Sequence, residues 1–145
     1  MKTTCRILAL VQAVLLLAGL VIPALAAGEI TPYFNNVIGA YSTASVSSNG
    51  NLSVTNRISG VQGTTSKVVV TTYVEKKILG LFWSRVDIGQ PDDQWVDTVY
   101  GASFNKTHTY QLTSTGTYRV TAIFVVSGTG GADDEIVRTS EVTYS

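Results

Sequence analysis

The chain has 145 residues, ten Lys and Arg residues balanced by ten Asp and Glu residues, and a single cysteine, Cys5. The balanced charge and the absence of a basic patch in the sequence argue against nucleic-acid binding, which needs clustered positive charge. Charge is sparse, while Val, Thr, Ser and Gly are abundant, and this composition favours strands over helices. We therefore expect an all-β protein.

The N-terminus has the three-part layout of a secretory signal peptide. It comprises Lys2 and Arg6, an uncharged stretch at 7–22, Pro23 and the small-residue site Ala24-Leu25-Ala26. The layout predicts a signal peptide over residues 1–26 and a secreted, extracellular product. The alternative is an uncleaved membrane anchor, which the length disfavours because a spanning helix needs about 20 apolar residues.

Cleavage before Ala27 would change the chemistry of the chain. It would remove Cys5, two of the ten basic residues and no acidic residue, so that eight basic residues face ten acidic ones and the net charge becomes −2. Without cysteine the remaining chain forms no disulfide, whereas small secreted domains of animals are often disulfide-dense. We therefore expect a bacterial protein.

After an irregular lead-in at 27–36, the sequence predicts a single domain at 37–145. Predicted strands cover 37–47, 52–59, 67–77, 82–88, 95–104, 107–113, 116–127 and 135–144. Asn49-Gly50 is a strong hairpin signal. The strand at 116–127 is the most apolar and places Phe124 in the expected core. Seven or eight short strands separated by turns are typical of an antiparallel β-sandwich.

Two of these strands depart from simple alternation. Asn56 interrupts the apolar face of the strand at 52–59. The strand at 67–77 has apolar residues on both sides, with Val70 on one face and Tyr73 on the other. Apolar residues on both faces predict a central strand that is covered twice.

Residues 114–120, Ser-Thr-Gly-Thr-Tyr-Arg-Val, resemble the segment that opens strand F of immunoglobulin-like sandwiches. Those domains carry Asp-x-Gly-x-Tyr-x-Cys at this place. Here Gly116 and Tyr118 match, Ser114 stands in the Asp position, and Val120 replaces the cysteine. The resemblance implies an Ig-like fold in which Tyr118 holds the preceding loop through its hydroxyl.

The layout as a whole is similar to small secreted Firmicutes proteins, of Clostridia type, that carry a domain of unknown function. The shared features are Ala40-Tyr41-Ser42, Tyr73-Val74-Glu75-Lys76, Trp83, His108 before Tyr110, and the Gly-x-Tyr-Arg-Val segment. The resemblance spans about residues 37 to 140. It implies a Gram-positive secreted protein with an Ig-like fold and no known activity.

Residues that could carry catalysis are few. His108 is the only histidine, and a hydrolytic triad would need it near a serine and an acid. The sequence has no Gly-x-Ser-x-Gly elbow, so we expect His108 to lie at the margin of the core and to hydrogen-bond to backbone. The acidic clusters are Asp92-Asp93 with Asp97, and Asp133-Asp134-Glu135. Paired carboxylates can serve glycoside hydrolysis, and aspartates in a glycine-rich loop can bind Ca²⁺ weakly. Neither cluster has calcium-loop spacing, so we expect solvated turns, no metal, no cofactor and no catalytic residue.

The segment at 76–85 is unusual for a hairpin tip, which normally carries polar residues, Gly or Asn. It places Ile78, Leu79, Leu81, Phe82 and Trp83 around Gly80, between Lys76, Lys77 and Arg85. The apolar side chains either fold back onto the sandwich or form an exposed contact patch. A protein or glycan partner suits such a patch better than a membrane, although aromatic and basic residues together also fit a lipid interface.

The sequence therefore predicts a secreted, non-enzymatic binding or surface-interaction module. The candidate contact residues are Ile78, Leu79, Leu81, Phe82, Trp83, Trp95 and Tyr100. One alternative is a carbohydrate-binding module that stacks sugar rings on Trp83, Trp95 and Tyr100. Another is a small secreted hydrolase built around His108.

Overall fold

The computed structural model describes residues 33–145, and the predicted signal peptide lies outside the described residues. Eight strands and one short 3-10 helix follow in chain order: β1 (Val37–Val46), β2 (Asn51–Gly60), β3 (Thr65–Ile78), β4 (Phe82–Arg85), the 3-10 helix (Pro91–Asp93), β5 (Gln94–Val99), β6 (Ser103–Gln111), β7 (Gly116–Gly128) and β8 (Asp134–Tyr144). The all-β expectation is confirmed. No helix in residues 33–145 is long and apolar enough to cross a membrane.

The strands form two antiparallel sheets that face each other as a sandwich. The first sheet has the order β1-β2-β6. The second has the order β4-β3-β7-β8, and β5 pairs with β3 on the edge that β4 also uses. The predicted hairpin joins β1 to β2, with Val46 opposite Leu52 and Gly50 at a positive φ of 81°. The antiparallel β-sandwich is therefore present.

The core consists of two apolar clusters, one at each end of the sandwich. The lead-in cluster contains Val37, Ala40, Ile58, Val68, Val70, Phe104, Ala122, Phe124, Val126 and Ile136. The tip cluster contains Leu52, Val54, Val74, Ile88, Trp95, Leu112, Tyr118 and Val120. Between them lie Asn56 of β2 and Thr72 of β3, both fully buried, with Asn56 Nδ2 donating to Thr72 Oγ1 at 2.7 Å. The polar interruption at Asn56 is thus the boundary between two halves of the core.

Side chains close the side of the sandwich where edge strands β1 and β8 meet. Arg138 Nε of β8 donates a hydrogen bond of 3.0 Å to the carbonyl oxygen of Ala40 in β1. One step along, Ser140 Oγ lies 3.5 Å from the carbonyl oxygen of Ser42. The backbone acceptors of β1 are therefore engaged across the gap between the sheets.

Tyr118 holds the loop before β7 in the way that the resemblance implies. Its hydroxyl donates to the carbonyl oxygen of Ser114 at 2.6 Å, and its ring is buried in the tip cluster. Gly116 has a φ of 143°, and a Cβ built there would lie 2.9 Å from the Lys76 side chain. Glycine therefore lets the loop enter β7 beside that lysine.

Two expectations about the strands are wrong. The predicted single strand at 95–104 is two strands, β5 and β6, which belong to different sheets and are separated by residues 100–102. The outer face of β3, at Val69 and Tyr73, is half-buried and is not covered by a second layer of the described chain. Apolar residues occur there because β3 is the central strand of its sheet, where β-branched and aromatic side chains pack against cross-strand neighbours.

The described part of the lead-in, residues 33–36, is irregular as expected, but it is firmly attached. Asp134 is buried, and its carboxylate accepts hydrogen bonds from the backbone N–H groups of Asn35 at 2.9 Å and Asn36 at 2.6 Å. Asn36 is fully buried, and its Nδ2 donates to the carbonyl oxygen of Ala132. The expectation that Asp134 lies in a solvated turn is wrong, because these two N–H donors satisfy its buried charge.

Candidate functional site

The β3–β4 hairpin projects from one end of the second sheet. Pairing of β3 with its neighbour β7 ends at Lys76 opposite Tyr118, whereas pairing with β4 continues to Ile78 opposite Phe82. The same register places Gly116, the first residue of β7, level with Ile78, so residues 79–81 extend beyond the neighbouring strand. We call residues 78–82 the hairpin tip.

The apolar side chains of the hairpin tip are exposed. Leu79 is 83% exposed, Leu81 80% and Phe82 53%, while Ile78 is half-buried. The sequence left open whether these residues fold back onto the sandwich, and three of them do not. Leucine and phenylalanine side chains cost free energy in water, so the tip is an unusual concentration of exposed apolar area in one turn.

The backbone of the tip also takes a conformation that leucine disfavours. Leu79 has a φ of 51° and Gly80 a φ of 70°, and the N–H of Leu81 donates to the carbonyl oxygen of Ile78 at 3.0 Å. Two successive residues with positive φ are typical of hairpin turns that select Asn-Gly. A leucine in this region costs roughly 1–2 kcal/mol. Leu79 is thus both exposed and conformationally unfavourable.

A cluster of cations and aromatic rings lies behind the tip on the outer face of the second sheet. The Arg119 guanidinium lies 4.3 Å from the centroid of the Trp83 ring, and Lys77 Nζ lies 5.4 Å from it. The Arg85 guanidinium lies 3.5 Å from the Tyr73 centroid. These are cation–π distances, so the Trp83 ring is occupied by side chains of its own sheet.

The remaining candidate contact residues lie away from the tip. Trp95 is only 9% exposed and stacks on His108, with ring centroids 4.8 Å apart and planes 6° from parallel. Its burial contradicts the expectation that it lies on a contact surface. Tyr100 is 81% exposed, but it follows Val99, which pairs with Val68. That position is ten residues along β3 from Ile78, roughly 30 Å away.

Trp95 and His108 belong to a buried polar cluster between β5 and β6. Asp97, 7% exposed, hydrogen-bonds to Nε2 of His108 at 2.6 Å and forms an ion pair with Lys106. Asp97 and Trp95 come from an edge of the second sheet, and Lys106 and His108 from an edge of the first. The cluster therefore joins the two sheets on the side opposite to the β1 and β8 edges.

Opposing effects act on the Asp97 carboxyl. Burial raises its pKa, while the hydrogen bonds from Lys106 and His108 and the charges of those residues lower it. The lowering effects together are larger, and the pKa of Asp97 lies below its ordinary value. The carboxylate is therefore ionised at neutral pH.

The environment of His108 differs from the expected one. Its ring was expected to hydrogen-bond to backbone, but its described hydrogen bond goes to the Asp97 carboxylate. A hydrolytic triad requires a hydroxyl nucleophile on the second ring nitrogen. No serine or threonine of residues 33–145 hydrogen-bonds to His108, and the side chain is 13% exposed. The arrangement has the histidine and acid of a triad and lacks its nucleophile in the described chain.

The acidic residues of the described chain do not assemble into a metal site. Asp92 is exposed and Asp93 half-buried in the 3-10 turn, as expected for a solvated turn. Asp97 was expected to belong with them, but it is buried and faces His108 and Lys106 instead. Across residues 33–145, no three His, Cys, Asp or Glu side chains are grouped so that they could hold a metal ion.

Alternation in the sequence could have revealed the polar cluster. Trp95 and Asp97 are two residues apart, as are Lys106 and His108, so each pair shares one face of a strand. The prediction of a single strand at 95–104 concealed this pattern, because it placed residues of β5 and β6 on one strand.

No protein-family model matches the sequence, and no curated protein shows significant sequence similarity to it.

Proposed function

We propose that this chain is a secreted, non-enzymatic binding module of a Gram-positive bacterium that makes its contact through the hairpin tip. The proposal rests on the exposure of Leu79, Leu81 and Phe82 in a turn where Leu79 has an unfavourable positive φ. A turn selected for stability alone would carry Asn-Gly and polar side chains. Backbone strain and exposed apolar area at one point together favour a functional role over a structural one.

An immunoglobulin-like topology forms part of the proposal. The sheet order β1-β2-β6 corresponds to strands A, B and E of such sandwiches, and β3-β7-β8 corresponds to C, F and G. Tyr118 at the start of β7 then occupies the tyrosine-corner position of strand F, and its bond to Ser114 supports the assignment. Ig-like scaffolds host many functions, so the fold alone does not identify the partner.

The positions of the aromatic residues weaken the carbohydrate-binding alternative. A sugar-stacking surface needs ring faces that are free and close together. Trp95 is buried, Trp83 is occupied by Arg119, and Tyr100 lies at the other end of the sheet. The sequence favoured a protein or glycan partner over a membrane, and the exposed tip offers apolar area but no free ring of Trp83 for sugar stacking.

The test compares the full-length chain with the double variant L81D/F82D on a glycan array, intact Gram-positive cells and lipid vesicles. Both side chains are exposed, so we expect the variant to unfold at the same urea concentration as the wild type. We expect binding to at least one of the three surfaces and its loss in L81D/F82D. The control is I38D, since Ile38 is exposed and lies at the start of β1, away from the tip. Binding to none of them, or binding that L81D/F82D retains, would disprove the proposal.

A further inference from the structure

We infer that the partner of the hairpin tip is an anionic phospholipid surface, into which the tip inserts. The inference rests on the proposed function, since it names the partner of the same tip. It begins from the chemistry of the segment. Between Ile78 and Trp83 every side chain is apolar or is the hydrogen of Gly80.

A tip of this composition offers no directional polar side chain to a partner. Small-molecule and protein sites combine apolar area with a few placed hydrogen-bonding groups that fix orientation. The hairpin tip has the apolar part alone, and its residues 79–81 lie beyond the first residue of β7. A bilayer interface needs no fixed hydrogen-bond geometry and accepts apolar side chains from any direction.

Positive charge lies directly behind the apolar residues. In the β3–β4 register Lys77 pairs with Trp83, Lys76 with Ser84, and Arg85 with Glu75. These cations are one to three residues behind the Ile78–Phe82 pair, roughly 3–10 Å. Apolar faces of interfacial segments enter about 5–10 Å below the headgroups. Lys76, Lys77 and Arg85 would then lie level with lipid phosphates when Leu79 and Leu81 are inserted.

The distribution of acidic residues orients the domain in the same way. Lys76, Lys77 and Arg85 form no ion pair with any residue of 33–145, whereas Arg119, which lies opposite Glu75 at the same level as Arg85, is bridged to that glutamate at 2.8 Å. Two acids, Glu75 and Glu141, lie level with Arg119, so the tip end has four cations against two acids. The acids Asp133, Asp134 and Glu135 lie where β7 ends and β8 begins, at the opposite end of the sheet. A negatively charged surface therefore attracts the tip end and repels the other.

The test measures cosedimentation of the full-length chain with vesicles of phosphatidylcholine alone and of phosphatidylcholine mixed with phosphatidylglycerol. All variants keep residues 1–32, so any contribution of that segment is common to them. We expect binding to the mixed vesicles that weakens with salt. L81D/F82D should lower the partition coefficient about ten-fold or more, and K77Q about five-fold.

Lys67 supplies a matched control for charge. It lies on the same strand and the same face as Lys77, at the far end of β3, so K67Q should leave the partition coefficient unchanged. I38D is the corresponding control for apolar area. Trp83 supplies a local readout, because brominated lipid should quench its fluorescence while the buried Trp95 remains unaffected. The W83F variant identifies the quenched signal.

Each contrary result has a definite meaning. If the wild type ignores the mixed vesicles, if L81D/F82D still binds them, or if Trp83 is not quenched, the lipid inference is wrong. If the tip variant meanwhile loses binding to a glycan or to cells, the binding-module proposal stands and its partner is of another class. If K67Q weakens binding as much as K77Q, the attraction is general and not a property of the tip.

Discussion

Asp97 and His108 lie on edge strands of different sheets, and a hydrogen bond of 2.6 Å between Oδ2 and Nε2 joins them. No backbone pairing connects β5 to β6, so these side chains and Lys106 hold that side of the sandwich together. The cluster is therefore a structural link whose strength depends on one ionised carboxylate.

We expect D97N to destabilise the fold by about 2 kcal/mol, because it removes the buried negative charge that the half-buried His108 and the exposed Lys106 address. The pKa of Asp97 lies below its ordinary value, so its ionised form adds stability above about pH 4. That contribution is lost as the pH falls through the folded-state pKa. Urea unfolding from pH 7 to pH 2 should show this loss in the wild type and not in D97N. The exposed Asp133 provides the control D133N, and an unchanged acid profile in D97N would contradict the prediction.

The Asn56–Thr72 pair should show strong coupling. N56L leaves the Thr72 hydroxyl buried without its partner, T72V does the same to the Asn56 amide, and each should cost about 2 kcal/mol. The Asn56 Oδ1 atom is itself buried and has no hydrogen-bond partner among residues 33–145. Replacing both residues in N56L/T72V should therefore be close to neutral, since no polar atom of the pair remains buried. A double-mutant cycle by urea denaturation checks this, and additive single effects would contradict it.

Leu79 should be suboptimal for stability. We expect L79N to raise the free energy of unfolding by about 1 kcal/mol, because asparagine tolerates the left-handed region better than leucine. L81N is the matched control, since Leu81 is equally exposed and its φ is not positive. Urea denaturation measures both variants. A gain of the same size in L81N would show that lost apolar exposure, and not backbone conformation, is responsible.

The attachment of the lead-in should depend on Asp134. D134A removes the acceptor of the Asn35 and Asn36 N–H groups and should cost about 2 kcal/mol. Hydrogen exchange at these two amides should accelerate more than exchange in β3 or β7. D133A changes an exposed neighbour and should alter neither quantity. Protection that persists in D134A would mean that other contacts hold the segment.

The fold was largely predictable because alternation, Asn49-Gly50 and the glycine-rich turns act locally along the chain. The role of Tyr118 was predictable from the resemblance of residues 114–120 to strand F of immunoglobulin-like sandwiches. Alternation could group Asp97 with Trp95 on one strand and His108 with Lys106 on another. The hydrogen bond between Asp97 and His108 was not predictable, because sequence gives no distance between the edges of two sheets. The sequence also did not decide whether the hairpin tip is exposed, because leucines such as Leu79 and Leu81 can pack back onto the sandwich or project into solvent. Trp95 illustrates the same limit, because an aromatic residue in a strand suits the core and the surface equally.

The division of the core at Asn56 and Thr72 gives the two ends of the domain a degree of independence. The lead-in cluster stabilises one end and the tip cluster the other. Strands β2, β3 and β7 contribute residues to both clusters, but no buried residue belongs to both. Opening of one end need not expose the apolar residues of the other, as in proteins whose cooperative units unfold separately. Substitutions in the hairpin can therefore change the tip end of the domain while the anchored lead-in end stays folded.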